Sequence, residues 1–197
     1  MKSLAALLVA ALASPALADP PFPWIYDVQG VGEGDVLNIR ADASSTAEVI
    51  ASLPPDATGV EAVAVNDNGY WLRIALPEST GWAAAGYLKP RPRDPDYAFT
   101  RALTCGGTEP FWGLRVVQDD SAVLILMGED DATLPAHRLR PGKDHKDRFT
   151  LSLGDSSAAL ISVQQCSDGM SDRIYGLKIN LTINKQKPLS GCCSLVP

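Results

Sequence analysis

Three short stretches concentrate the side chains that could do chemistry. Cys105 to Gly113 reads CGGTEPFWG, Cys166 to Tyr175 reads CSDGMSDRIY, and Gly191 to Cys193 reads GCC. A cysteine nucleophile needs a thiolate and a positioned base. The two histidines, His137 and His145, both fall in the polar stretch PAHRLRPGKDHKD, and they are too far apart and too loop-bound to argue for zinc. Asp168, Ser171 and Asp172 offer oxygens of the kind calcium accepts, but their spacing matches no established calcium loop. Their other reading is a hairpin loop in which Gly169 takes a positive φ and the Asp and Ser side chains cap turn amides. Ser171 has no histidine near it in sequence, and the carboxylates Asp119-Asp120 and Glu129-Asp130-Asp131 fall in turns and read as solvated. No catalytic residue, metal ligand or cofactor is assigned, and the expected protein is not an enzyme.

The beginning of the chain explains why the thiols should not survive as thiols. Lys2, the apolar run Leu4 to Ala13 and the small-residue site Ala16-Leu17-Ala18 form the pattern of a signal peptide, residues 1–18, cleaved before Asp19. The run is too short to span a bilayer, and no later segment reads as an integral membrane helix. A periplasmic or secreted protein of 179 residues is expected. In that oxidising setting the four cysteines, Cys105, Cys166, Cys192 and Cys193, should form disulfides. Vicinal pairing would close a strained ring, and neighbours on an extended strand point to opposite faces. Cys105 and Cys166 are therefore each expected to take one member of the GCC pair. A simple hairpin register sets Cys192 opposite Ile179, away from the loop after Cys166, so the partners stay open.

The elements that must position these residues are strands. LNIR, EVIASL, GVEAVAV and YWLRIAL in the first half, and FWGLRVV, AVLILM, RFTLSL and AALISVQ in the second, are short strand candidates bounded by turn residues. YGLKINLTIN alternates throughout, with Tyr175, Leu177, Ile179, Leu181 and Ile183 on one face, as a half-buried strand does. Between the halves, KPRPRDPDY holds three prolines and alternating charges and reads as a stiff linker over residues 91–97. Residues 19–90 carry 10 acidic and 3 basic side chains, residues 91–197 carry 13 of each, and the net charge of −7 after signal removal sits on the first half. An acidic chain without clustered Lys and Arg disfavours nucleic acid.

Parity assigns the candidate contacts. In the strand from Tyr70 to Leu76, Leu72, Ile74 and Leu76 suit the core, which leaves Trp71 and Arg73 on the opposite face as a contact patch, unless a loop or the second domain covers Trp71. Trp82 is expected in the core. In CGGTEPFWG, Cys105 anchors the start, Gly106-Gly107 permit a tight turn, Pro110 stands where no ladder donor is needed, and Phe111 and Trp112 send one ring to each face. Trp112 joins Trp71 and Arg73 as a ligand-binding candidate.

Residues 28–90, with LNIR, the mid-domain GYWLRI and the closing GWAAAGYL, resemble the bacterial Src-homology-3-like domain, which implies a small barrel fused to another exported domain, with peptide or cell-wall ligands in some members. The sequence ADAS after Arg40 departs from the SGPS common there. Residues 101–194, with CGGTEPFWG, CSDGMSDRIY and GCC, resemble an uncharacterised family of exported bacterial β-rich domains, some of them lipoproteins, and more distantly the small β-barrels that inhibit C-type lysozyme or respond to envelope stress. The expected architecture is all-β: a Src-homology-3-like small barrel over 28–90, then a disulfide-linked antiparallel β-barrel or sandwich over 98–197. The expected function is a non-catalytic binding module for a peptide, a peptidoglycan fragment or an exported protein. The other class that fits is an inhibitor of a cationic exported hydrolase such as lysozyme.

Overall fold

The computed structural model describes residues 22–196, so the signal-peptide segment lies outside the described residues. Two antiparallel sheets follow one another along the chain. The first contains β1 (Trp24–Val28), β2 (Leu37–Arg40), β3 (Val49–Leu53), β4 (Val60–Val65), β5 (Trp71–Ala75), β6 (Thr80–Ala84) and β7 (Leu88–Pro90), in the order β3-β2-β6-β5-β4-β1-β7. The second contains β8 (Ala102–Thr108), β9 (Phe111–Val117), β10 (Asp120–Leu126), β11 (Ala132–Ala136), β12 (Arg140–Gly142), β13 (His145–Leu153), β14 (Ser157–Cys166), β15 (Tyr175–Thr182) and β16 (Leu189–Ser194). Its neighbours run β11-β10-β9-β8-β16-β15-β14-β13, and the Ala136↔Leu153 pairing of β11 with β13 closes eight strands into a barrel. The short β12 hangs outside on β13.

Period-2 patterning fills the barrel. Leu177, Ile179 and Leu181 of β15 have no exposed surface, and Leu114, Leu151, Ile161 and Leu103 meet them from other strands. Burying each such side chain contributes roughly 1.5–3 kcal/mol. The barrel interior is packed with side chains, as an eight-stranded barrel's diameter permits.

The disulfides follow from register. Cys193 faces Cys105 across β16 and β8, and the pair is bridged at a Cα separation of 4.0 Å. Cys192, one residue earlier, points to the other face and bridges Cys166. Cys192 lies opposite Lys178, with Gly191 opposite Ile179, so the ladder is shifted by one from the simple hairpin register. A bulge in β14 between Val163 and Cys166 then brings Cys166 opposite Tyr175. That extra residue is what carries Cys166 within reach of Cys192.

Two structural features bear on the boundaries. The first sheet begins at Trp24, ahead of residue 28, because β1 pairs with both β4 and β7. The Pro-rich segment is also pinned. Arg91 donates its backbone N–H to Ile25 and pairs with Asp27 at 2.8 Å, and Arg93 stacks over Trp24 at 4.1 Å. The buried residues of the two sheets form one contiguous core, with Pro23 pressed against Gly176 of β15 so closely that a Cβ there would lie 2.7 Å from the proline ring.

Unfolded without reductant, the protein is expected to titrate no free thiol. Replacing Cys105 and Cys193 together by alanine should lower stability by about 2–4 kcal/mol, and more than the corresponding Cys166 and Cys192 change. The difference arises because the first bridge spans 88 residues of sequence and the second 26. Urea midpoints of the three proteins check both statements.

Candidate functional site

On β5, Leu72 and Ile74 are buried, while Trp71 and Arg73 face outward. Arg73 lies opposite Trp82, and Trp82 lies opposite Arg40, so a row of arginine, indole and arginine crosses β5, β6 and β2. The Arg73 guanidinium sits 5.9 Å from the Trp82 ring, and its Nε donates to Thr80 Oγ1 at 3.2 Å. Arg40 is steadied by donating Nη1 to the Ala47 carbonyl at 2.7 Å. Trp82 is thus not the core residue expected. The inward positions of β6 are Gly81 and Ala83, and only glycine fits at 81, where a Cβ would come within 2.4 Å of the Ile39 side chain.

Trp71 sits beside a hollow of about 390 Å³ that it lines together with Tyr87, Val36, Asp35, Asn38 and Arg40 among others, all of them first-sheet residues. Tyr87 is 45% exposed and Val36 44%. Aromatic and mixed polar side chains together are the composition that orients a ligand while burying its apolar parts. The second sheet contributes nothing to this hollow.

The third candidate, Trp112, belongs elsewhere. It points into the barrel in phase with Leu114 and Val116, is 6% exposed, and donates Nε1 to the Ser190 carbonyl at 3.3 Å. The exposed member of the aromatic pair is Phe111, at 46%. Gly106 and Gly107 lie within β8 and make no turn. Their role is clearance: a Cβ on Gly107 would stand 2.4 Å from the Trp112 ring nitrogen, and one on Gly191 would stand 2.0 Å from the Gly106 carbonyl. The glycines of CGGTEPFWG and GCC therefore seat the indole between β8 and β16. The turn residues are Glu109 and Pro110.

CSDGMSDRIY is the capped loop that turn chemistry allows. Gly169 has φ +76°, Asp168 Oδ1 accepts from the Met170 and Ser171 amides, and its Oδ2 accepts from the Tyr175 hydroxyl. Burial pushes the Asp168 carboxyl up, but those hydrogen bonds outweigh it and hold the group below the usual carboxylate range. Tyr175 moves the other way, raised first by burial, with the Arg173 charge only partly offsetting it. Asp119 is not merely solvated, since it pairs with Arg138, whose hydrogen bond lowers its pKa. Among the described residues, no three His, Cys, Asp or Glu side chains converge as a metal site would require.

A second concavity, of about 710 Å³, opens between the two sheets. Its floor holds a group that parity alone would place in water. Glu61 of β4 points away from the first sheet's core, but the barrel covers that face and leaves the carboxylate side chain 2% exposed. Ser194 Oγ donates to Oε2, the Leu195 amide donates to Oε1 at 3.1 Å, and Arg173 lies 3.6 Å away. Burial raises the Glu61 pKa, and the Ser194 and Leu195 hydrogen bonds and the Arg173 charge reduce that rise without cancelling it. Arg173 also stacks over Tyr175 at 4.6 Å. Sequence reasoning missed Glu61, Phe111, Arg173 and Tyr175. The only sign of Glu61 was one acid within GVEAVAV, which alternation explains equally well as solvated.

Compared with known protein families, with curated proteins and with solved structures, the chain matches none.

The raised Glu61 pKa fixes a sign. Below the unfolded-state pKa both states hold the proton and burial carries no charge penalty. As pH rises through the window up to the folded-state pKa, the unfolded chain releases the proton first, so Glu61 contributes a loss of stability. Glu61→Gln should remove that part of the pH dependence, and its urea midpoint should gain on the parent as pH rises from 4 to 8. Glu61→Ala, which strands Arg173, should cost about 3 kcal/mol near neutral pH.

Proposed function

We propose that this protein is an exported, non-catalytic binding module whose first sheet recognises a peptide or cell-wall component through Trp71. The observation that carries this reading is the pairing of partly buried Trp71 with exposed Tyr87 on one hollow, which no second-sheet residue lines. Aromatic side chains lose little conformational freedom on binding and bury much area, so they dominate recognition sites. Arg40 and Arg73, two of the three basic side chains in residues 19–90, stand on this same outward face. Two disulfides, and the lack of any membrane-crossing helix among the described residues, are compatible with a periplasmic or secreted protein. The resemblance of residues 28–90 to Src-homology-3-like domains supports the same class of ligand.

Arg73 acts here by positioning. It braces Trp82 and Thr80 and lies outside the hollow. Trp112, seated in the barrel of the second sheet, has no part in this surface.

The test is co-sedimentation with insoluble peptidoglycan. Trp71→Ala should weaken binding by about thirtyfold, the equivalent of a hot-spot loss near 2 kcal/mol. Added salt should have little effect on the parent protein. Inhibition of a cationic hydrolase predicts the reverse, because long-range attraction to an acidic surface is screened by salt. Complex formation with lysozyme that ignores Trp71→Ala and collapses in salt would put that reading first.

A further inference from the structure

The cleft between the sheets is separate from the Trp71 hollow and differs from it in chemistry. Its lining includes exposed apolar side chains: Phe111 is 46% exposed and Met170 66%, with Val196 from the second half and Leu76 and Pro77 from the first beside them. Exposed large apolar side chains gathered in one concavity are the informative exception on a soluble surface. The cleft's volume of about 710 Å³ falls within the range of small-ligand and side-chain pockets.

Backbone pairing also stops at this place. The β4–β5 ladder ends at Ala62↔Ile74, and Val60, Ala75, Leu76 and Pro77 beyond it all line the cleft. On the floor, Arg173 Nε is buried without a hydrogen-bond partner, a donor whose missing acceptor costs free energy. Past Gly107, Thr108 and Asp168 the cleft continues into a polar hollow of about 460 Å³. There Gln164 and Gln165 are exposed, and no side-chain hydrogen bond ties either carboxamide to the rest of the described chain. A carboxamide offers both donors and an acceptor, the same alternation that an extended peptide backbone presents.

Charge narrows the occupant. Across the cleft and the hollow, Glu61, Glu109 and Asp168 outnumber Arg173 and Lys178, so an anion would meet net repulsion. A cation would have to compete for Asp168, whose two oxygens already accept from Met170, Ser171 and Tyr175, and would meet Lys178 in the hollow that Glu109 lines. An uncharged ligand with carbonyl acceptors meets neither obstacle. We infer that this cleft binds an uncharged, extended stretch of polypeptide, which inserts one bulky apolar side chain between the sheets and lays its backbone along the Gln164–Gln165 hollow. The protein then has two contact surfaces, and this one does not depend on Trp71.

The experiment uses the full mature chain with both disulfides intact and end-blocked tetrapeptides carrying a central Phe, Ala or Glu, followed through amide chemical shifts. The Phe peptide should move the Gly107, Thr108, Met170 and Tyr175 signals, and the Ala and Glu peptides should leave them in place. Phe111→Ala and Met170→Ala, both at exposed positions and so expected to fold, should each weaken binding by about tenfold. Trp71→Ala should not alter it, which keeps failure here distinguishable from failure of the Trp71 reading. The inference is overturned if none of the peptides perturbs these signals. It is also overturned if an N-acetylglucosamine tetramer perturbs them and the Phe peptide does not, or if the Phe peptide binds the Phe111→Ala, Met170→Ala double variant undiminished.

Discussion

A carboxylate taken out of water must be met by donors, and Glu61 has all of its own on the other sheet. Ser194, the Leu195 amide and Arg173 come from the barrel, whereas Glu61 comes from β4. A buried pair of this kind adds little net stability, since desolvation offsets most of the attraction. What it supplies is registry. Any sliding or rotation of one sheet over the other would leave a buried charge and at least two donors unpaired. The direction of packing between the two sheets therefore depends on this one cluster, with Pro23 against Gly176 as its steric complement. Both the interdomain cleft and the exposure of the Trp71 face follow from that orientation.

The barrel holds its side of the arrangement rigid. Vicinal cysteines on β16 send one sulfur inward to Cys105 and the other outward to Cys166, so the strand is tied to both of its surroundings at adjacent residues. Immediately after Cys193 come Ser194 and Leu195, the donors to Glu61. Cys166 opens the loop that carries Asp168, Met170 and Arg173 into the cleft. The bridges thus fix the cleft wall as well as the barrel, and the glycines at 106, 107 and 191 let Trp112 fill the space between β8 and β16. A motif that looked like chemistry serves as scaffold, and the exposed Phe111 at its end faces the cleft.

Some of this was legible in the sequence and some was not. Period-2 alternation is a local property, and it identified an all-β chain, the inward face of β15 and the outward face of Trp71 and Arg73. The expectation of an exported chain implied two bridges, and strand geometry argued against the vicinal one. Phe111 and Trp112 could be recognised as one inward and one outward ring, but which was which depended on the phase of β9 relative to Leu114 and Val116. The same ambiguity misplaced Trp82, because an indole between small residues reads as core until Gly81 and Ala83 are seen to occupy the inward positions. Cys192 and Cys193 could not be assigned to partners because the ladder shift and the β14 bulge each move a side chain by one residue, which in a strand reverses its face.

The sequence by itself determined the strand content, the existence of two bridges, the acidic first half and the outward aromatic on β5, since each rests on the type or spacing of residues near one another in the chain. Only the tertiary structure decided that Glu61 is buried, that the Pro-rich segment is pinned by Asp27 and Trp24, and that Phe111, Met170 and Arg173 share one cleft with Leu76. Burial on a strand's outer face is set by whatever lies above it. For Glu61 that cover is chain more than 110 residues downstream, since its partners are Arg173, Ser194 and Leu195, and no local pattern encodes a neighbour so remote.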